Sequence, residues 1–276
     1  MFASDQGKLL LKSSFICIAY SLKLLLIVLM GLPAFTAVIT LGPFDRKGKL
    51  SYRFVRWWTW AILKIGGIRL NVRGLEALDP GRNYIFIANH QSFIDIPALS
   101  QALIHFQLRW VAKKELLWIP LFGWALWSSR NIIVDRSNFS KARTSLEKAR
   151  ETVEAGISVV IFPEGTRGTE GQILPFKRGG FLLALKTRTP IVPVTINGSD
   201  AVLSRGDWRI KKGEIEIVVN KPIPVEKYQE GRLRDLAELV RETVVSNSRR
   251  PSDTGSYEKD RPHYLSFCQA WGQGQG

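Results

Sequence analysis

The hydrophobic rhythm of the chain changes twice along its length. From Leu24 to Leu41 (LLLIVLMGLPAFTAVITL) no charge interrupts an apolar run that reaches upstream to Phe15, broken only by Lys23. Such a run is long enough to cross a bilayer. Ser51 to Ile65 (SYRFVRWWTWAILKI) reads differently, because Trp57, Trp58 and Trp60 stand beside Arg53, Arg56 and Lys64. Aromatic rings mixed with cations suit the head-group interface, and a helix that packs its tryptophans on the main domain is the plainer alternative. Beyond residue 66 short β-rich runs alternate with helical stretches, the pattern of α/β architecture. The expected strands are Ile68 to Val72, Tyr84 to Ala88, Arg109 to Ala112, Asn131 to Val134, Ser158 to Phe162, Ile191 to Ile196 and Glu214 to Val219. Runs such as YIFIA and SVVIF are apolar throughout, as strands covered on both faces should be.

Between these strands Ala142, Leu146, Ala149 and Val153 recur at helical spacing, with Ser140 as N-cap and Gly156 as the stop. A last amphipathic helix is expected from about Gly231 to Val245. Periodicity is then lost, and turn residues with scattered charges predict a disordered tail. The expected organisation is therefore a membrane anchor and interfacial helix over 1–66, an α/β domain over 67–246 and a tail over 247–276. The fold class is α/β, a mostly parallel central sheet flanked by helices and preceded by an N-terminal membrane-associated helical pair.

The topology of the anchor is open at this level. Lys8, Lys12 and Lys23 precede it and Arg46, Lys47, Lys49, Arg53 and Arg56 follow it, so the positive-inside tendency keeps both ends in the cytoplasm. Gly31 and Pro33 allow a break midway, which fits a re-entrant or monotopic helix as well as a single span. A formal charge of +15 over 276 residues implies anionic partners such as acidic lipids, an acidic carrier protein or phosphorylated substrates. Nucleic acid is not expected, since the basic residues are scattered and no zinc-finger or RNP-type pattern occurs. Two cysteines, Cys17 and Cys268, support neither a disulfide framework nor a structural zinc site.

Two segments carry candidate chemistry, each at the exit of an expected strand, where open α/β sheets place their ligands. The first is Asn89-His90-Gln91-Ser92-Phe93-Ile94-Asp95. A histidine is the side chain best suited to take a proton near neutral pH, and an Asp on its second ring nitrogen fixes the tautomer and stabilises the imidazolium. On one continuous helix a five-residue offset would set the two about 140° apart, so contact requires a turn. Ser92 and Asp95 also form an S-x-x-D pattern that caps a helix, a role that would take Asp95 away from His90. The second segment is Phe162-Pro163-Glu164-Gly165-Thr166-Arg167-Gly168. It offers a carboxylate, a guanidinium suited to phosphate and glycines that let backbone approach a ligand. A surface turn holding a Glu-Arg ion pair is the plainer alternative, and the Gly-Lys-Ser/Thr ending of a Walker loop is missing.

In these blocks the chain resembles the glycerophospholipid acyltransferase family, most closely its 1-acylglycerol-3-phosphate acyltransferases. NHQSFID matches the family's N-H-x-S-x-x-D throughout, and FPEGTRG matches F-P-E-G-T-R-S except for Gly168 in place of Ser. Lys113-Lys114-Glu115-Leu116 through Ile119-Pro120 and Gly123 is similar to K-x-E-L-x-x-I-P-x-x-G. Ile133-Val134-Asp135-Arg136 looks like the block ending in Asp-Arg, and Val192-Pro193-Val194 meets V-P-V. The resemblance covers about residues 50 to 225.

It implies His90 as general base on an acceptor hydroxyl, supported by Asp95, with direct transfer of acyl from acyl-CoA or acyl carrier protein. By similarity Arg136 and Arg167 hold the acceptor phosphate, Glu164 positions the glycerol part, and Gly165, Thr166 and Lys113 join the substrate-binding set; for Lys113 and Lys177 a solvated surface position is an equal alternative. The implied acceptor is lysophosphatidic acid, with another lysolipid as the alternative. Membrane lipids are the remaining partners, no cofactor or metal is implied, and the implied location is a bacterial-type cytoplasmic membrane with the catalytic domain on the cytoplasmic side. The residues agree independently that no acyl-enzyme forms, since there is no G-x-S-x-G elbow and both cysteines lie in unsuitable segments.

Overall fold

A computed structural model describes residues 2–135, 139–168 and 172–249, with side chains from Ser14 onward except over 139–142. Arg136 and the tail beyond 249 therefore lie outside the described residues, whereas the helix expected after Ser140 already begins at Phe139, which sets Ser140 inside it rather than at its N-cap and includes Ala142. In chain order the elements are α1 (Phe2–Leu41), α2 (Lys49–Gly66), β1 (Ile68–Arg73), β2 (Ile85–Ala88), α3 (Asp95–Ala102) and β3 (Leu108–Lys113), followed by α4 (Phe122–Ser128) and β4 (Ile132–Val134). The remainder are α5 (Phe139–Glu154), β5 (Ser158–Ile161), α6 (Gly179–Thr187), β6 (Ile191–Asn197), α7 (Ser199–Val202), β7 (Gly213–Val219) and α8 (Leu233–Ser246).

The strands form one seven-stranded sheet in the order β1-β7-β6-β2-β5-β3-β4. Every pair is parallel except β6 with β7. The expected α/β sheet, mostly parallel, is thus present. The central strands β2, β5 and β6 are buried at every position, which is why their sequences carry no alternation. One apolar layer, built on Phe86, Val160, Val192 and Ile217, faces α2 and α3. The opposite layer, with Ile85, Val159 and Phe181, is covered by α5, α6 and α8. The carboxyl ends of β2, β3, β4 and β5 share one edge, and both chemistry-bearing segments begin there.

At the amino-terminal end α1 and α2 pack as an antiparallel pair joined by a turn over Gly42 to Gly48. Residues Ser14–Leu41 are long and apolar enough to cross a membrane. The break allowed at Gly31 and Pro33 does not occur: α1 is one helix of 40 residues with Pro33 inside it. Contacts hold it on both sides of the proline, with Ile27, Ala34 and Val38 buried, and neighbours of this kind let a helix continue past a proline. Gly31 sits where α2 comes closest; a Cβ there would lie 2.8 Å from Trp58 Nε1, and that indole donates to the Ile27 carbonyl at 3.2 Å.

The three tryptophans of α2 divide their work. Trp58 packs on α1 with Phe35 at 4.7 Å between ring centroids, while Trp57 and Trp60 are exposed. Tyr52, Ile62 and Leu63 of the same helix enter the core, so α2 packs as part of the α/β body. At the far end Asn247 and Arg249, the first residues of the expected tail, are tied to Asn197 and Glu216.

Candidate active site

The loop that leaves β2 is fixed before it reaches His90. Asn89 is fully buried, and its amide pairs with the backbone of β6, donating to the Ile196 carbonyl at 2.9 Å and accepting from Ile196 N–H at 2.8 Å. A side chain here completes the sheet ladder where the strand ends. Ser92 then ties the next turn down by donating its hydroxyl proton to the Leu203 carbonyl at 2.6 Å.

Asp95 opens α3 and is buried. Its Oδ2 lies 2.8 Å from His90 Nδ1 and also accepts the N–H groups of Gln91 at 2.7 Å and Ser92 at 2.9 Å. The turn required for contact is therefore present, and capping does not draw Asp95 away from His90: the helix starts after Ile94 with no side-chain cap bond, and the carboxylate holds the preceding loop while it orients the imidazole with the same oxygen. An oxygen already accepting two backbone N–H bonds accepts a third proton from the ring, so Nδ1 carries the hydrogen and Nε2 keeps its lone pair. Nε2 bonds to none of the described residues, and the His90 side chain is 15% exposed. One face of the ring stacks on Phe162 with centroids 4.1 Å apart and planes 16° off parallel, and Trp110 of β3 stacks behind it.

The second segment leaves β5 beside the first. Glu164 is buried, and both oxygens are engaged: Oε1 accepts His90 N–H at 2.7 Å and Oε2 accepts Leu174 N–H at 2.7 Å. Gly168 N–H in turn donates to the His90 carbonyl at 2.9 Å. These distances make Glu164 the brace between the two segments, a different task from the glycerol contact that the resemblance implies. Burial pushes the Glu164 carboxyl upward, against the two backbone bonds and the nearby His90. Gly165 turns the chain at φ +74° and Thr166 is exposed.

Arg167 lies over Phe93, with Cζ 4.0 Å from the ring centroid, and Glu164 spends both oxygens on backbone N–H groups, so the surface Glu-Arg pair is not formed. Burial lowers its proton affinity first, Arg205 lowers it further and Asp95 raises it. The guanidinium thus sits half-buried next to a second cation, an arrangement that favours an anion between them. Lys113 is exposed at the end of β3 on the same sheet edge, and Lys114 pairs with Asp135 at 2.9 Å. Lys177 is exposed, its backbone N–H bonded to Pro163. Phe162, Phe93 and Arg205 were not singled out by the sequence. Phe162 and Phe93 were visible only as members of the two segments, with no task of their own, and nothing in the sequence marked Arg205.

Among the described residues no group of His, Cys, Asp and Glu is placed to hold a metal ion. The arrangement brings together an imidazole with an open Nε2, a carboxylate that orients it and a guanidinium on the loop residue Phe93, three residues after His90.

A model of the Acyltransferase family matches residues 69–197. The chain is 33% identical over 190 residues to the human 1-acyl-sn-glycerol-3-phosphate acyltransferase alpha, covering 68% of this chain and 67% of that protein. It is 29% identical over 228 residues to a 1-acyl-sn-glycerol-3-phosphate acyltransferase of Chlamydomonas reinhardtii, covering 79% and 66% respectively. The chain thus spans about two thirds of the length of these relatives. Among solved structures it is similar to the 1-acyl-sn-glycerophosphate (LPA) acyltransferase PlsC of Thermotoga maritima, with a TM-score of 0.65 and 26% identity over 82% of this chain and 94% of that one. Fold, motifs and relatives agree, and the chain belongs to the acyltransferase family of the 1-acyl-sn-glycerol-3-phosphate acyltransferases.

Proposed function

We infer that the protein transfers a fatty acyl chain from acyl-CoA or acyl carrier protein to the sn-2 hydroxyl of 1-acylglycerol-3-phosphate, giving phosphatidic acid. The observation that carries this reading is His90, bonded through Nδ1 to Asp95 with Nε2 open, on the same rim as Arg167. His90 Nε2 takes the proton of the acceptor hydroxyl as its oxygen attacks the thioester carbonyl. Asp95 stabilises the imidazolium that forms. The tetrahedral intermediate then expels the thiolate, which receives the proton from His90, so the histidine ends as it began.

Direct transfer is supported by the position of Ser92, the serine nearest the base in sequence. Its hydroxyl is committed to the Leu203 carbonyl, so this serine is not the nucleophile of an acyl-enzyme. Arg167, with Arg136 and Lys113 as the further cations, holds the acceptor phosphate. The acceptor enters from the bilayer in which Ser14–Leu41 is embedded, with the catalytic domain on the cytoplasmic side, where the basic residues of the α1–α2 turn meet anionic lipid.

The test is turnover by purified, detergent-solubilised protein, using a labelled acyl thioester and a panel of lysolipids. Lysophosphatidic acid should be the preferred acceptor. Negligible turnover of it beside rapid acylation of another lysolipid would reject the acceptor, and thioester cleavage without any acceptor would reject transfer.

A further inference from the structure

A second apolar surface springs from the sheet edge that carries His90, and the steps proposed above assign it no role. After β3 a 3-10 turn, Lys114–Trp118, leads into α4. Trp118 is 85% exposed, Trp127 68%, Trp124 59% and Ile119 46%, and Phe44 from the turn after α1 is 84% exposed beside them in the fold. Between α1 and α4 lies an open groove of about 360 Å³, walled by Ile39, Pro43, Leu117, Gly123, Trp124 and Trp127. The hydroxyl of Ser128, its one polar side chain, is spent on the Val38 carbonyl at 2.9 Å.

This surface is built rather than left over. Leu121 is held at φ +62°, ψ −53°, with Phe122 N–H on the Pro120 carbonyl at 2.7 Å. That is a γ-turn of the rare, strained kind. Gly123 N–H closes on the Ile119 carbonyl at 2.7 Å, and any side chain at Gly123 would collide with the Leu117 backbone. The Ile119-Pro120-x-x-Gly123 block thus serves to make this turn and project Trp118 and Trp124 outward.

We propose that the Trp118–Trp127 segment, with Phe44, is a second membrane-docking surface whose partner is the head-group boundary of an anionic bilayer. It rests on the reading of the protein as a membrane acyltransferase and adds a second point of contact. Three observations favour lipid over a protein partner. The surface is continuous with the apolar helix: Ser128 bonds Val38, and Phe35 of α1 meets Phe122 of α4 at 6.0 Å. Exposed basic residues flank it along the chain: Arg46, Lys47 and Lys49 follow Phe44, Lys113 precedes the 3-10 turn and Arg130 follows α4. Its composition is dominated by tryptophan, the residue that settles at the membrane interface. Two contacts fix an orientation where one helix would leave rotation free.

The test uses the full chain with Cys17→Ser and Cys268→Ser and single labelled cysteines at Trp118→Cys, Trp127→Cys, Leu25→Cys in α1 and Lys221→Cys. Lys221 is exposed just after β7, which runs antiparallel to β6 and so ends at the opposite sheet edge. An environment-sensitive fluorophore is attached and the proteins are bound to vesicles of phosphatidylethanolamine and phosphatidylglycerol carrying spin-labelled quencher lipid. The proposal expects blue-shifted, quenched emission at 25, 118 and 127 and neither effect at 221. Quenching at 25 alone overturns the proposal and leaves the membrane reading standing; quenching at none overturns both. As a second arm, the exposed pair Trp118→Glu/Trp127→Glu should raise the apparent KM for lysolipid in vesicles several-fold while turnover in detergent micelles holds. Equal vesicle kinetics in the folded variant would also overturn it.

Discussion

Replacing Asp95 by Asn separates the two tasks of that carboxylate. Three hydrogens converge on Oδ2, from His90 Nδ1 and the Gln91 and Ser92 backbones, so the amide oxygen must take that place and the NH2 the other. The bonds to the loop backbone and the imidazole tautomer then survive, and only the charge is lost. In the transition state His90 is an imidazolium about 4 Å from the carboxylate charge centre, worth about 4 kcal/mol at an effective dielectric of about 20. The amide dipole retains part of this, leaving a loss of about 3 kcal/mol, or roughly 10²-fold in kcat. The new NH2 falls where Oδ1 is buried without a partner, so stability should drop by about 1–3 kcal/mol. The assay is kcat and KM with a labelled acyl thioester beside thermal unfolding followed by circular dichroism. KM should hold, since Asp95 is fully buried behind His90. A folded variant with kcat within about threefold of the parent would show that Asp95 only holds the loop before α3.

His90→Ala should lower kcat by about 10² to 10⁴ without unfolding the protein, and near-normal turnover in that variant would remove the general base. Arg167→Ala should raise the acceptor KM, and Arg167→Lys should restore only part of the loss because an ammonium cannot lie flat on Phe93; initial rates over an acceptor series decide. Glu164→Gln offers one acceptor to two backbone N–H groups, so it should cost about 1–3 kcal/mol. Because burial raises the Glu164 carboxyl above its ordinary 4.5, the native state holds that proton more tightly than the unfolded chain. The stability it contributes is present below 4.5 and lost as pH rises through the raised folded value. Melting curves at a series of pH values should show that fall in the parent and not in Glu164→Gln. Gly31→Ala should destabilise the helical pair although alanine is the better helix former, because its Cβ would press on the Trp58 indole; a higher melting temperature would contradict this.

The parts of the fold that were legible are those where burial imposes a pattern. β2 and β5 read as strands because both faces are covered, and α8 because one face is. Strand order and the reversed β7 were not legible, since apolar runs carry no direction. The helix α4 escaped because its tryptophans point outward, against the pattern that reveals a packed helix. At the site, His90, Asp95, Glu164 and Arg167 were legible as types suited to the chemistry. The jobs of Asn89 and Phe162 were not, since each depends on which strand lies alongside: Asn89 completes the ladder of β6, and Phe162 backs His90 because β5 pairs with β2.

The one departure within the FPEGTR segment has a cause of the same kind. Where the family pattern has Ser, Gly168 donates its N–H to the His90 carbonyl, and any Cβ there would run into the Gln172 carbonyl. The chain returning at Gln172 is the one that brings Leu174 N–H to Glu164. Glycine therefore lets the backbone close in where a hydroxyl would otherwise stand, and the closure completes three links between the segments: His90 to Glu164, Gly168 to His90 and Leu174 to Glu164. Each link is made by backbone N–H, so each survives the loss of the catalytic side chain. Because His90 and Arg167 both hang on these links, their separation is a property of the braced backbone rather than of either side chain.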